Sequence, residues 1–210
     1  MPDTSPADRR RSSIGARRNP DAESAILTAA RALLAERGYA GFSIEEVARR
    51  AGAGKPTIYR WWATKADLLI DVYAAEKASH MALPDTGALW SDLLAYTRAL
   101  WGFWRDTPSG SIFRALIAEA QTTDAALSAL RDKFLPDRLR DLCHMFERAA
   151  ERGEIHASEI DDRVGLYIGF NWLHLLTDRL ADDAPAIERT TRLIAGQPPG
   201  RTRAPVRSFR

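Results

Sequence analysis

Residues 42–62 read FSIEEVARRAGAGKPTIYRWW, and no other segment of the chain is as informative. Ser43 followed by Glu46 has the spacing of a capping box, which predicts that a helix begins at Ser43. Gly52 ends that helix early, because glycine readily adopts the left-handed conformation that closes helices. Pro56 is tolerated in a first helical turn, so a second helix starts beside it. Helix, tight glycine turn and helix form a helix-turn-helix, whose second helix enters the DNA major groove.

Helical patterns continue on both sides of this segment. Upstream, apolar residues recur from Ile26 onward at the spacing of one helix face, and Gly38 marks the end of that helix. Downstream, Thr64 and Asp67 have the spacing of another N-cap pair and open a fourth helix. The sequence therefore predicts an all-α protein, in which residues 21–66 form a three-helix helix-turn-helix DNA-binding domain.

The second helix of the pair carries side chains that suit a DNA surface. Phosphate oxygens and base edges are bound by basic, hydroxyl and amphipathic groups. Ile58 and Trp62 lie four residues apart, on the face expected to pack into the domain. The remaining polar or amphipathic set of this helix is Lys55, Thr57, Tyr59, Arg60 and Trp61.

These residues resemble the N-terminal domain of the tetracycline-repressor (TetR/AcrR) family over roughly 45 residues in register. The resemblance implies a helical body that binds a small molecule and forms dimers. It also implies that ligand binding moves the fourth helix and so changes the spacing of the two DNA-reading heads. The residues that carry it are Arg37-Gly38-Tyr39, Phe42-Ser43-Ile44, Val47-Ala48, Ala51-Gly52, Thr57-Ile58-Tyr59-Arg60-Trp61-Trp62, Lys65 and Leu68-Leu69.

The same resemblance implies roles for residues that flank the recognition helix. Ser43 would bind a phosphate, although it also caps its helix in any case. Lys65 would pair with a phosphate at the start of the fourth helix, and Trp62 would be the buried aromatic. Gly54 and Pro56 depart from the family pattern, but glycine is an acceptable helix cap.

Within the recognition helix, the resemblance places Lys55, Thr57 and Tyr59 on the DNA-facing side. Arg60 stands where the family often has an aromatic residue or histidine, and it suits a guanine O6/N7 pair or a phosphate. Trp61 stands where histidine commonly contacts phosphate, so its indole N–H would be the donor. The alternative is that Trp61 packs against the fourth helix.

Charge divides the chain into three blocks. The formal net charge is +5 over residues 1–66, −7 over residues 67–195 and +4 over residues 196–210. A basic head on an acidic body suits a head that meets a polyanion, although chance clustering on two tails is the alternative. Residues 1–20 are predicted to be a disordered basic arm that lies along DNA or only aids solubility, and residues 196–210 a disordered basic tail.

Composition excludes several protein classes. The apolar fraction of 45% is that of an ordinary globular protein. Cys143 is the one cysteine, which excludes an intrachain disulfide and disfavours a cysteine-based metal site. Neither a signal peptide nor an apolar run long enough for a membrane span is present, so a cytoplasmic location is expected, with no metal or cofactor.

Residues 67–195 are predicted to be a helical ligand-binding and dimerisation domain. Thr107 to Gly110 should form a turn, and Pro136 should kink or split a long helix. The last two helices are expected to dimerise as a four-helix bundle, because the first of them is apolar on more than one face; a central core helix is the alternative. The predicted helices are Leu89–Arg105, Ile112–Gln121, Thr123 or Asp124 to Arg152, Asp161–Leu180 and Ala184–Ala195.

Large aromatic side chains are frequent in this body. Ligand pockets between helices are mainly apolar with a few polar groups, so some of these side chains are candidates for a pocket, and ordinary core is the alternative for each. Their composition suggests a hydrophobic or aromatic effector. The ligand-binding candidates are Trp101, Trp104, Phe113, Met145 and Trp172.

The predicted function is a ligand-responsive transcriptional regulator, a repressor that binds a palindromic operator as a homodimer. An enzyme is the main rival. However, Cys143 and His144 are adjacent and point about 100° apart on a helix, and no other group has catalytic or metal-ligand spacing. A ligand-independent DNA-binding protein is the second rival, and activation instead of repression stays open.

Overall fold

A computed structural model describes residues 19–180 and 184–196. All regular structure in these residues is helical, which confirms the predicted all-α class. The basic arm and tail predicted from the sequence lie outside the described residues, apart from residues 19, 20 and 196. The helices are α1 (Pro20–Arg37), α2 (Ile44–Ala51), α3 (Lys55–Trp61), α4 (Lys65–His80), α5 (Leu89–Asp106), α6 (Ser109–Ala120), α7 (Asp124–Ala129), α8 (Leu135–Glu151), α9 (Ile160–Leu176) and α10 (Ala184–Ile194), with a π-helical segment (Leu130–Phe134) before α8 and a 3-10 helix (Ala157–Glu159) before α9.

Helices α1 to α3 form the head, and their ends follow the local signals in the sequence. Ser43 Oγ accepts a hydrogen bond from the Glu46 backbone N at 3.2 Å, so α2 begins where predicted. The Glu46 carboxylate does not complete the predicted capping box, because it accepts hydrogen bonds from the Arg49 and Arg50 side chains instead. Gly52 closes α2 at φ 62° and ψ 24°, the left-handed conformation.

Helix α4 connects the head to the remainder of the molecule. Thr64 and Asp67 form a complete capping box at its start, as the sequence predicts. Along its length α4 packs on α1 in the head and on α6 beyond it. The predicted domain boundary between residues 66 and 67 therefore falls in the first turn of a helix that belongs to both units.

Helices α5 to α10 form the body. Helix α5 packs against α6, α8 and α10, and α9 packs against α6, α8 and α10. Helix α6 begins at Ser109, three residues before its predicted start, and shortens the predicted turn. The first turn of α6 lies close to the end of α5. Glycine is needed at position 110, because a Cβ there would lie 2.2 Å from the Trp104 carbonyl oxygen.

The predicted break of the long helix at Pro136 is present as a π-helical segment. This segment joins α7 to α8 and ends at Phe134, just before the proline. Proline lacks the N–H that would continue an α-helical ladder, so the chain changes its hydrogen bonding there. Such π segments are frequent at functional sites.

Helix α9 ends at Leu176 and not at Leu180 as predicted. Asp178 has a φ of 55°, a left-handed conformation that is incompatible with a continuing helix. Among the helices that the structure describes, none combines the length and the apolar character that a membrane span needs.

Candidate nucleic-acid interface and effector cavity

Helix α3 has one buried face and one exposed face. Ile58 is fully buried, and Trp62, which caps the helix, is 2% exposed. Tyr59 is 48% exposed, and Lys55 and Arg60 are also exposed. The four-residue spacing of Ile58 and Trp62 turns both toward the core and leaves Tyr59 and Arg60 on the exposed side.

A hydrogen bond ties the end of α3 to α4. Trp62 Nε1 donates to Asp71 Oδ2 at 2.7 Å. Asp71 lies two turns into α4, so the orientation of the recognition helix is coupled to that helix. Sequence reasoning identified Trp62 as a buried aromatic residue but not this partner.

Lys55 and Thr57 occupy the first turn of α3. Lys55 pairs with Glu45 of α2, with 2.7 Å between Nζ and Oε1. The hydrogen bond from Lys55 lowers the pKa of Glu45. A phosphate at this place would compete with the Glu45 carboxylate for the ammonium group. Thr57, two residues after Lys55 in the same turn, is half-buried.

Trp61 is half-buried and packs against its neighbours in the head. Its ring centroid lies 5.7 Å from that of Trp62 in an edge-on arrangement. The guanidinium carbon of Arg60 lies 5.8 Å from the Trp61 ring centroid, a cation–π contact. The structure therefore places Trp61 beside Arg60 and Trp62, with its ring turned partly into the fold.

Ser43 lies at the start of α2, where backbone N–H groups are unpaired within the helix. Its Oγ is an acceptor for Glu46 N. A hydroxyl group is also a donor, so the Ser43 O–H can bind a phosphate oxygen while the cap stays intact. The capping role and the predicted phosphate role are therefore compatible.

Lys65 is held inside the head more than the phosphate role suggests. Its Nζ donates to the Tyr39 carbonyl oxygen at 3.1 Å and lies 3.8 Å from the Tyr39 ring centroid. Burial lowers the pKa of Lys65. The structure thus separates Lys65 from the exposed set on α3 and gives it a second function, which is to fix the loop after α1.

Tyr39 also links the head to the body, which sequence reasoning missed. Its phenol O–H donates to the Glu119 carboxylate on α6. Burial and this hydrogen bond raise the pKa of Tyr39 to about 12. The two residues are 80 positions apart, so no local pattern indicates the contact.

A cavity of about 70 Å³ lies in the body, between α4, α5, α6, α8 and α9. Three of the five ligand-binding candidates, Trp104, Phe113 and Trp172, line it. The described residues that line the cavity are Tyr73, Lys77, Tyr96, Leu100, Trp104, Phe113, Leu135, Leu139, Leu142, Tyr167, Ile168, Asn171 and Trp172.

The other two candidates lie outside this cavity. Trp101 is 2% exposed, and its Nε1 donates to Asn171 Oδ1 at 2.8 Å, so it supports the wall from behind. Met145 is fully buried in the core of the body. Residue type suggests both as candidates, but residue type does not show which side of a helix faces a cavity.

Sequence reasoning missed the two cavity residues that lie on α4. Tyr73 and Lys77 are one turn apart and both line the cavity. Tyr73 accepts a hydrogen bond from Trp104 Nε1 at 2.9 Å. Helix α4 therefore contacts the recognition helix through Asp71 and the cavity through Tyr73 and Lys77.

Large apolar side chains are exposed on the last two helices. Leu166, Leu173 and Leu176 of α9 are 63%, 51% and 45% exposed, and Leu193 of α10 is 77% exposed. The α9 residues follow the spacing of one helix face. By contrast, Val164 and Leu175 of the same helix are buried.

In the part of the chain that the structure describes, no three His, Cys, Asp or Glu residues come together in a way that would hold a metal ion. Cys143 is half-buried, and burial raises the pKa of its thiol. His144 Nδ1 lies 2.8 Å from Glu147 Oε2 on an exposed helix surface. Neither residue is part of a nucleophile–base arrangement.

Comparison with known proteins agrees with this arrangement. Residues 26–72 match the family model of bacterial regulatory proteins of the tetR family. Residues 83–194, more than half of the chain, match the tetracyclin repressor-like C-terminal domain model. The first matched segment ends within α4, the helix that joins head and body, and the second begins just after it.

Individual relatives extend the match. The chain is 30% identical to the HTH-type transcriptional regulator AqdR of Rhodococcus erythropolis, over 76% of each chain. It is 33% identical to the DNA-binding transcriptional repressor TetR of Mycobacteroides abscessus, over 62% of this chain and 68% of that protein. The crystal structure of the TetR family transcription regulator SCO0332 superposes with a TM-score of 0.74 at 30% identity, covering 85% of this chain and all of that one. The chain therefore belongs to the TetR family, whose members are DNA-binding transcriptional regulators and not enzymes.

Proposed function

We propose that this protein is a ligand-responsive repressor, which binds a palindromic operator as a homodimer and leaves it when a small effector enters the cavity in the body. One observation carries the proposal. Helix α4 holds the recognition helix through the hydrogen bond from Trp62 to Asp71 and lines the cavity with Tyr73 and Lys77. A change at the cavity can therefore reach the DNA surface through one rigid element.

The exposed face of α3 supports the DNA-binding part. Lys55, Tyr59 and Arg60 are exposed, while the opposite face is fixed in the core. Arginine forms bidentate contacts with guanine, and lysine and tyrosine bind phosphates. Thr57 and the Ser43 hydroxyl complete the proposed surface, with Trp61 and Lys65 at its border. DNA as the partner implies action in the cytoplasm.

The exposed leucines on α9 and α10 support dimer formation. Leu166, Leu173 and Leu193 present apolar side chains that a second copy would remove from water. A single recognition helix of seven residues contacts few base pairs. Two such helices on a symmetric site give the specificity that a regulator needs.

The size of the cavity supports a switch. A volume of about 70 Å³ is far below the roughly 300–1,000 Å³ of pockets that hold drug-sized ligands. An effector must therefore displace wall residues, including those on α4. Binding would select a conformation in which the two heads no longer fit the operator, which is a shift between two populations.

A genomic selection tests the DNA-binding part. The purified protein is incubated with fragmented genomic DNA from its source organism, and the recovered fragments are sequenced. We expect one enriched inverted repeat. The absence of any enriched sequence, both for the protein alone and after addition of a cell extract that supplies small molecules, would contradict the proposal.

Arg60→Ala then locates the DNA surface. Loss of a base or phosphate contact should weaken binding to the selected repeat by about 1–3 kcal/mol. Arg105→Ala is the matched control, because Arg105 is an exposed arginine on α5, paired with its neighbour Asp106. Mobility shifts should show weakened binding only for the first variant. Equal affinities of the two variants would place the DNA surface elsewhere.

A further inference from the structure

We propose that a second cavity, at the junction of head and body, is a binding site for an organic amine with an apolar body. This junction cavity is lined by residues within 63–70, 116–123 and 126–134. It is distinct from the body cavity, the cavity of about 70 Å³ that the proposed function assigns to the effector. Binding of the amine therefore does not depend on the proposed function.

Phe134 separates the two cavities. Its side chain is 1% exposed and lines the junction cavity. Its ring centroid lies 5.9 Å from that of Tyr73 and 5.5 Å from that of Phe113, and these two residues line the body cavity. Among the residues that the structure describes, none lines both cavities. The junction cavity is therefore a site of its own and not an extension of the body cavity.

The junction cavity has room for a small ligand without rearrangement. Its volume is about 470 Å³, within the roughly 300–1,000 Å³ of pockets that hold drug-sized ligands. It lies between the start of α4, the end of α6 and the stretch from α7 to the π-helical segment. Leu116, Ala126 and Leu130 belong to its apolar wall. Apolar walls with a few polar groups are typical of ligand sites.

The charged groups in this wall are acidic. Of the lining residues that the structure describes, only Asp67 and Glu119 carry a formal charge, and both are half-buried. One oxygen of each is engaged, since Asp67 Oδ2 accepts from Thr64 and Glu119 Oε2 accepts from Tyr39. Asp67 Oδ1 and Glu119 Oε1 receive no hydrogen bond from the described part of the chain. Each carboxylate therefore has an oxygen that can accept from a ligand.

Neighbouring groups do not reverse this negative charge. The starts of α4 and α7 carry the partial positive charge of helix N-termini, but the side chains of Thr64, Asp67 and Thr123 already cap them. Glu119 lies in the last turn of α6, where the partial charge of a helix is negative. Lys65 is not among the lining residues, and its Nζ donates at 3.1 Å to a backbone carbonyl oxygen in the loop after α1. A cationic ligand is therefore favoured over an anionic one.

An organic ammonium ion with an apolar body suits both the charge and the walls. Its N–H groups donate to carboxylate oxygens, and such charge-assisted hydrogen bonds are roughly twice as strong as neutral ones. Its apolar part leaves water on contact with Leu116 and Leu130. A sugar would bring hydroxyl groups that these side chains leave unpaired, and a phosphate would be repelled by the two carboxylates.

Glu119 places such an amine at the contact between head and body. Its carboxylate accepts the hydrogen bond from Tyr39, which lies in the loop after α1. The first turn of α4, which follows the recognition helix directly, forms another part of the same cavity. An amine that pairs with Glu119 therefore lies against both elements through which the two units meet. It would give the DNA-reading head a second chemical input besides the body cavity.

Matched amines and alcohols test the proposal. The probes are phenethylamine with phenethyl alcohol, tryptamine with tryptophol and hexylamine with hexanol. Binding to the full-length protein is measured by calorimetry at neutral pH, where the amines are protonated. Because each pair differs mainly in charge, we expect at least one amine to bind about fivefold or more tightly than its own alcohol. The difference should shrink as the salt concentration rises.

Two variants assign this preference to the junction cavity. Glu119→Gln removes the charge but keeps an oxygen that can accept from Tyr39, and it should bring the affinities of amine and alcohol to within about twofold of each other. Ala126→Phe fills the cavity from α7 and should abolish the amine preference. Glu147→Gln is the matched control, because this exposed glutamate of α8 pairs with His144, is not among the lining residues and should change neither affinity.

Each outcome decides the proposal. If no amine in the panel binds more tightly than its alcohol, or if either variant is folded by circular dichroism and retains the preference, the junction cavity is not an amine site. The proposed function is tested separately by the genomic selection. A protein that selects an inverted repeat but prefers no amine would leave the regulator standing and overturn only the second site.

Discussion

The head and the body both bury tryptophan, but they use it differently. In the head, Trp62 is 2% exposed, packs against the recognition helix and donates its N–H to Asp71. In the body, Trp104 and Trp172 border a cavity of about 70 Å³. The packing around Trp62 holds one geometry, whereas the cavity beside Trp104 and Trp172 leaves space that a bound ligand can enlarge. A DNA-reading surface needs a fixed shape, whereas a sensor needs a wall that can move.

The largest expected effect compares the same substitution in the two regions. Trp62→Ala empties a filled site and should lower the free energy of unfolding by about 3–5 kcal/mol. Trp172→Ala removes a half-buried side chain beside an existing cavity and should cost less than half as much. Urea unfolding followed by circular dichroism measures both. Equal losses in the free energy of unfolding of the two variants would contradict the difference between a tightly packed head and a body that adapts around its cavity.

A smaller effect concerns the contact between the two regions. Tyr39→Phe removes the phenol that donates to Glu119 on α6 and should lower the free energy of unfolding by about 0.5–1.5 kcal/mol. We also expect a smaller difference in operator affinity between effector-bound and free protein, because the head is then less tightly joined to the body. Tyr59→Phe, an exposed phenol on α3, is the control for stability and should leave the free energy of unfolding unchanged.

If Tyr39→Phe leaves both stability and effector response unaltered, the link between head and body does not run through this hydrogen bond. Unfolding measurements give the stability, and titration of labelled operator with and without a small molecule that binds the body cavity gives the effector response. An effect on stability alone would make the contact structural.

The smallest effect is a pH dependence confined to the head. Hydrogen bonds from Arg49 and Arg50 lower the pKa of Glu46 from 4.5 to about 2. Because the pKa is lower in the folded protein, the stabilisation is complete above pH 4.5 and is lost as the pH falls toward 2. Glu46→Gln should flatten the stability curve in that range. Thermal unfolding at stepped pH measures it, and identical slopes for both proteins would contradict the assignment.

The two regions also differ in how far the sequence predicts them. The head is specified by signals only a few residues apart, such as Ser43 with Glu46, Thr64 with Asp67, and Gly52, so its helices lie where predicted. The exception is the side chain of Glu46, which accepts hydrogen bonds from Arg49 and Arg50. The spacing of these residues does not predict which of them will pair. Local rules therefore predict backbone better than side-chain partners.

The cavity depends on contacts between residues far apart in the chain. Trp101 and Asn171 are 70 positions apart, and Trp104 and Tyr73 are 31 apart. Residue type indicated Trp104, Phe113 and Trp172 but equally indicated Trp101 and Met145, which the fold places elsewhere. Lys77 was missed because a lysine in a polar stretch of helix is usually a solvated side chain.

A footprint on the selected operator tests the central claim most directly. The account predicts two protected half-sites in an inverted repeat, about 34–36 Å or a multiple of that distance apart. Protection should be lost on adding a small molecule that binds the body cavity. A single asymmetric footprint, or protection that a molecule bound in the body cavity leaves unchanged, would contradict a dimer whose body controls its heads.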